Sequence, residues 1–156
     1  MYVRMAENGG KIIMISNPKH GWCDFKIEDD NNNVFFGTPS YVTNVPVDLL
    51  QAFLDYKIKG QGIAWFDEEG TEFTLVLNPY SMFIITENED CEGRLYDFSE
   101  LNIDNLIKEL IQDIESDLIK WSMFYCGCND ECDDEEEIKA NRELIRNLIC
   151  QLKEKL

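Results

Sequence analysis

The sequence predicts an α+β fold in which an antiparallel meander sheet with one inserted helix packs against a C-terminal helical hairpin. Three patterns carry that expectation. Through the first hundred residues, short apolar stretches alternate with polar positions at period two and are separated by Asn, Asp, Gly and Pro turns. One stretch at about 46–59 changes to helical spacing. From 101 to 156, apolar residues recur at helical spacing in two segments joined by an acidic loop, as two antiparallel helices would. At 156 residues the chain has the length of one domain, 1–156.

Residues 11–16 and 22–27 are short apolar stretches joined through the turn-rich Asn17-Pro18-Lys19-His20-Gly21. The second alternates Cys23, Phe25 and Ile27 with Asp24, Lys26 and Glu28, the pattern of a half-buried strand. Asp29-Asp30-Asn31-Asn32-Asn33 is a turn, because Asn and Asp tolerate left-handed backbone and bond their own main chain. Val34-Phe35-Phe36 resumes the strand until Gly37-Thr38-Pro39 breaks it.

The first helix begins near Pro46, with Asn44 as its cap and Asp48 as a favourable negative charge at the positive end of the helix dipole. Val47, Leu50, Phe53, Leu54 and Ile58 make its apolar side, and Gly60 ends it. A meander follows. Ile63-Ala64-Trp65-Phe66 enters a hairpin at Asp67-Glu68-Glu69-Gly70, and Phe73, Leu75 and Leu77 alternate with Glu72, Thr74 and Val76 on the return. Asn78-Pro79-Tyr80-Ser81 turns the chain into residues 82–86. A polar turn at 87–93 precedes the last strand, at 94–98.

The second helix carries the broadest apolar stripe: Ile103, Leu106, Ile107, Leu110, Ile111, Ile114, Leu118 and Trp121. Ser99 or Asn102 caps it, and Gly127 marks its end. The third helix buries Ile138, Ile145, Leu148, Ile149, Leu152 and Leu156, and Lys153 and Lys155 sit at its negative end. The three Trp, nine Phe and six Tyr fall mostly on these apolar faces and read as core.

Composition narrows the classes of function. The 31 Asp and Glu exceed the 14 Lys and Arg, for a formal net charge of −17. Such a chain is repelled by nucleic-acid backbones and anionic membranes, so neither is expected as a direct partner. It is not a disordered acidic tail, since 44% of residues are hydrophobic and 12% aromatic and both halves of the sequence are acidic. The N-terminal residues lack the apolar core of a secretory signal, and no apolar run is long enough to span a bilayer. A cytoplasmic location with six reduced cysteines is therefore expected.

Catalytic templates find little to hold. His20 is the single histidine, and it lies in a turn between strands, so a surface role is the default. Gly9-Gly10 and Gly60-Gln61-Gly62 lack the spacing and the Lys of phosphate-cradling loops. With acids so abundant, no carboxylate pair stands out, and no enzyme activity is expected.

Cys126-Gly127-Cys128-Asn129-Asp130-Glu131-Cys132 places three thiols within seven residues. Cys126, Cys128 and Cys132 could hold zinc as soft ligands, with His20, Cys23 or Cys150 brought in as a fourth by the fold. Their spacing is not that of paired Cys-x2-Cys knuckles, and the competing reading is three reduced thiols at a helix end and loop. Around them, residues 130–137 contain seven acids in eight positions. Asp133 or Asp134 caps the last helix and the glutamates fill its first turn. The remaining acids are available as a solvated face or as part of a binding surface for a basic partner. No calcium loop is present.

Three stretches resemble the small acidic α+β immunity proteins of bacterial polymorphic-toxin and contact-dependent inhibition systems. They are Asn44-Val45-Pro46-Val47-Asp48-Leu49-Leu50, then Phe66-Asp67-Glu68-Glu69-Gly70-Thr71-Glu72-Phe73, and Ile111-Gln112-Asp113-Ile114-Glu115-Ser116-Asp117-Leu118 followed by Trp121. The resemblance implies a cytosolic antidote that binds a cognate toxin, often a nuclease, and transfers no individual binding residue. Charge density selects Asp67, Glu68, Glu69 and Glu72 as one expected partner-binding patch. Asp130, Glu131, Asp133 and Asp134 make a second. The expected function is a non-catalytic acidic binding protein that neutralises a basic toxin. The alternative is a metal-binding or redox-sensing regulator built on Cys126, Cys128 and Cys132.

Overall fold

The computed structural model describes residues 14–87, 90, 92–126 and 134–156. It is α+β, and its strands divide into two antiparallel sheets at the inserted helix. The first sheet contains β1 (Ile15–Lys19), β2 (Trp22–Glu28) and β3 (Val34–Gly37), in that order. His20 and Gly21 both take positive φ, 55° and 76°, so the β1–β2 connection is tighter than the five-residue turn expected. Asn17 (φ 54°) and Pro18 lie inside β1, where the register shifts between Ser16 and Lys19. A bulge on an edge strand accepts a proline that has no N–H to donate.

Asp29 organises the β2–β3 turn. Its buried carboxylate accepts the backbone N–H groups of Asn31 and Asn33, both at 2.9 Å, and the Asn33 side-chain amide at 2.8 Å. Asn32 takes φ 63°. This is the Asx chemistry expected of the Asp29–Asn33 stretch.

Helix α1 (Val45–Lys59) is closed by Gly60 in the left-handed conformation. Its first three turns bury Val45, Pro46, Leu49, Leu50, Ala52, Phe53 and Leu54, an almost all-round apolar surface that marks a helix inside the protein. Two expectations about its start are corrected. The Asn44 side chain makes no cap hydrogen bond; its amide donates instead to Asn141 Oδ1 at 2.9 Å. Asp48 does lie in the first turn, but burial raises its pKa from 3.8 to about 6, so desolvation outweighs what the helix dipole offers its charge.

The second sheet runs β4 (Gly62–Asp67), β5 (Glu72–Asn78), β6 (Ser81–Glu87) and β7 (Gly93–Asp97) as an unbroken meander. Glu69 (φ 55°) and Gly70 (φ 139°) turn the β4–β5 hairpin. Asn78 Oδ1 accepts the Tyr80 and Ser81 N–H groups at 3.0 and 2.9 Å in the β5–β6 turn. Helix α1 lies directly on the inner face of β4 and β5. The approach is so close that a Cβ on Gly62 would overlap the Ala52 carbonyl.

The long apolar stripe of the second predicted helix is broken in the structure. Helix α2 (Ile103–Ser116) is capped by Asn102, whose side chain accepts the Asn105 N–H at 3.0 Å. Asp117 then leaves helical geometry (φ −147°, ψ 51°) and α3 (Leu118–Met123) follows, with one 3-10 turn at Phe124–Cys126. Helical spacing continues through Leu118 and Trp121 despite the break, so periodicity alone does not locate it. Helix α4 (Glu135–Lys155) is capped by Asp134, which accepts the Glu137 N–H at 3.0 Å. It packs on α1 and α3, while α2 reaches β1. No described helix is long and apolar enough to cross a membrane.

One cluster of buried residues extends from Met14 to Leu152. Its aromatic centre joins the sheets: Phe25 of β2 lies 5.9 Å from Phe66 of β4 and 5.0 Å from Phe73 of β5. Phe35 of β3 lies 4.9 Å from Phe73 and 5.2 Å from Tyr96 of β7.

Candidate protein-binding face

The meander exposes the side that α1 does not cover. Strand alternation places Ala64, Phe66, Phe73, Leu75, Leu77, Met82 and Ile84 inward. Their neighbours must then point outward, and register arranges those neighbours in three rows across the four strands. Ile63, Val76, Phe83 and Asp97 form one row. Trp65, Thr74, Ile85 and Leu95 form the middle row, and Asp67, Glu72, Glu87 and Gly93 the third.

Two of these rows are apolar where a solvated sheet is ordinarily polar. Ile63 is 68% exposed, Leu95 60%, Ile85 42% and Trp65 41%. Val76 and Phe83 are half-buried beside them. Six large apolar side chains thus share one solvent-facing surface, a grouping that marks interaction sites far more than scattered exposed residues do.

The third row is acidic. Asp67 stands opposite Glu72, and Glu72 opposite Glu87, an arrangement of like charges that opposes folding. Together with Gly70 and Thr71 they line an open depression of about 360 Å³. Among the described residues no Lys or Arg forms an ion pair with these three carboxylates. The three outward rows themselves contain no Lys or Arg.

The eight expected partner-binding acids separate into different roles. Asp67 and Glu72 belong to the acidic row, although Asp67 Oδ1 also accepts the Glu69 N–H at 2.6 Å. Glu68 is engaged within the fold: its carboxylate accepts the Thr38 N–H at 2.8 Å and the Thr71 hydroxyl at 3.1 Å. Those bonds hold the β4–β5 turn to the segment after β3. Glu69 is exposed at the turn. Asp134 caps α4, while Asp130, Glu131 and Asp133 lie outside the described residues.

Glu87 and the apolar rows were missed at the sequence level. The two-residue turn at Pro79-Tyr80 sets the register that puts Glu87 opposite Glu72, so this neighbour was available from the turn. The outward placement of Trp65 and Phe83 was not, because each sits in a run apolar enough to read as core.

The cysteines do not assemble among the described residues. Cys126 is half-buried at the end of the 3-10 turn, and Cys128 and Cys132 lie outside the described residues. Cys23 is buried on β2 against the Pro39 carbonyl, 3.8 Å from its Sγ, and burial pushes its thiol pKa far up, away from the thiolate that zinc requires. Cys150 is exposed on α4, where it lines a cavity of about 630 Å³ with Glu115, Leu118, Arg146, Ile149 and Lys153. Among the described residues no group of three or more His, Cys, Asp and Glu side chains is placed to hold a metal ion. His20 is exposed in the β1–β2 turn. Compared with family models, curated proteins and solved structures, the chain matches none.

Proposed function

We propose that this chain is a non-catalytic binding protein that neutralises a basic protein partner by occupying it. The partner is a toxin domain, and the chain is an immunity protein of the kind its sequence resembles. The observation that supports this reading is the outward side of β4–β7, where an apolar surface that no described element covers is bordered by carboxylates that pair with no described Lys or Arg. Buried apolar anchors supply most of the affinity in protein interfaces. Charge supplies speed and discrimination: a net −17 accelerates encounter with a cationic surface and disfavours acidic competitors. A cleft built to grip nucleic acid is cationic, and a row of carboxylates offers it negative charge in place of phosphates.

The test is co-expression with the protein encoded immediately upstream. That neighbour is expected to arrest growth alone, to be harmless when this chain is present, and to co-purify with it in a stoichiometric complex. A neighbour that is neither toxic nor bound overturns the proposal. Serine replacement of Cys126, Cys128 and Cys132 separates it from a zinc- or redox-sensing regulator. Unchanged folding and binding support the inhibitor, while loss of both supports the regulator.

A further inference from the structure

We propose that the partner docks on the outward face of β4–β7 in a specific orientation. A Lys or Arg of the partner enters the depression formed by Asp67, Glu72 and Glu87, and apolar side chains of the partner cover Trp65, Ile85 and Leu95. This rests on the binding reading above and specifies its surface and its chemistry.

Charge complementarity selects the occupant. The face has acids along one end and Asp97 at the other, with no Lys or Arg in its three rows. A second copy of the chain packed face to face would bring acids and no cation from its own three rows to the contact. An anionic membrane would be repelled for the same reason. A basic protein with an apolar centre supplies both missing parts: a cation for the row of three carboxylates, and a dry cover for the two apolar rows.

Size is consistent with one principal contact. Four strands at a spacing of ~4.8 Å and seven residues at ~3.4 Å give a flat area of roughly 450 Å². A stable interface uses about 800 Å² per partner. The sheet face therefore supplies the centre and its bordering turns the remainder. The depression of about 360 Å³ is roomy enough for a long cationic side chain and is open to solvent beside the apolar rows. A carboxylate there can accept a bidentate guanidinium as the partner settles on Trp65.

The experiment measures affinity of the full chain for the upstream-encoded protein by calorimetry, at two salt concentrations. Trp65→Ala is expected to weaken binding by at least ~30-fold, the loss typical of a central anchor. Glu72→Gln with Glu87→Gln is expected to weaken it by about 10-fold and to flatten its salt dependence. Glu135→Gln with Glu136→Gln removes the same charge from α4 and is expected to change affinity by less than about 2-fold. Equal effects from the two double variants would show that net charge alone matters and would overturn the orientation. Unchanged affinity in Trp65→Ala, with the wild-type chain still binding, overturns the face and leaves the inhibitor reading standing. Absence of wild-type binding overturns both. A dimer of this chain alone that Trp65→Ala dissociates would assign the face to a second copy and would also overturn the proposal.

Discussion

The buried carboxylate of Asp113 on α2 accepts the backbone N–H of Met14 at 2.9 Å and that of Ile15 at 3.3 Å. A helix nearly a hundred residues away along the chain thereby receives the start of β1. The two N–H groups need an acceptor at that buried end, and the Asp113 side chain supplies it. Asp113→Ala is expected to destabilise the fold by about 2–3 kcal/mol in denaturant melts. It should also accelerate exchange of the Met14 and Ile15 amide hydrogens. A loss below about 0.5 kcal/mol, with both amides still protected, would show that the bond is not holding β1.

Asp48 makes stability depend on pH in an unusual direction. Burial raises its pKa from 3.8 to about 6, so the folded protein binds a proton more readily than the unfolded chain between those values. The contribution of this group to stability is complete below pH 3.8 and is lost as pH rises through 6. Asp48→Asn removes the penalty, which for a half-buried group screened by solvent amounts to about 1 kcal/mol. The variant is expected to gain that stability at pH 7 and none at pH 3.5. Equal gains at both values would assign the effect to something other than ionisation.

Gly62 and Gly60 differ in why they are glycine. Gly60 has φ 78°, and Gly62 faces the Ala52 backbone with no space for a methyl group. Gly60→Ala is expected to cost about 1 kcal/mol through backbone strain. Gly62→Ala must push α1 away from β4 and is expected to cost about 3 kcal/mol or more. Thermal melts of the two variants check the order, and the reverse order contradicts the close helix–strand contact.

The acidic row should lower stability in the free protein. Glu72 lies between Asp67 and Glu87 on adjacent strands, and removing one charge relieves repulsion on both sides. Glu72→Gln is expected to raise stability by about 0.5 kcal/mol at low salt, and by less at high salt. Combined with weaker partner binding, that gain would show carboxylates kept at some cost to folding. A loss of stability on substitution would mean that Glu72 has a structural partner.

Thiol chemistry separates Cys23 from Cys150. Cys23 is buried with its thiol held protonated, whereas Cys150 is exposed on α4. A thiol-specific reagent is expected to label Cys150 in the native protein within minutes and to reach Cys23 only on unfolding, as peptide mass mapping would read. Rapid native labelling of Cys23 would contradict its placement in the core.

Short-range chemistry was legible along the chain. The Asp29 turn, the Asn102 and Asp134 caps and the alternation of β2 and β5 follow from residues within a few positions of one another. Asn44 shows where that reasoning stops. It has the composition of a helix cap, yet its amide donates to Asn141 on α4, which in turn donates to the Ser122 carbonyl of α3 at 2.8 Å. A tertiary bond from the half-buried Asn44 amide to the buried Asn141 displaced the local one. The break at Asp117 was hidden because the apolar spacing continues across it, and only the non-helical backbone of Asp117 (φ −147°, ψ 51°) distinguishes two helices from one.

The candidate site was half legible. Asp67 and Glu72 stood out by charge density, and both lie on the acidic row, but Glu68 and Asp134 turned out to hold the fold together. Trp65 carries the same apolar signal as Phe66 beside it, and one faces solvent while the other meets Phe73.

By itself the sequence determined the α+β class, the order of strands and helices, and a strongly acidic chain, because periodicity, turn chemistry and charge are local or additive properties. Only the tertiary structure decided that the strands form two sheets, that α1 covers one side of the second, and that no described element covers its other, apolar side. Period two assigns residues to opposite faces of a strand but does not say which face a distant helix will cover. That depends on where α1 docks, and the missing side chain of Gly62 permits its close approach.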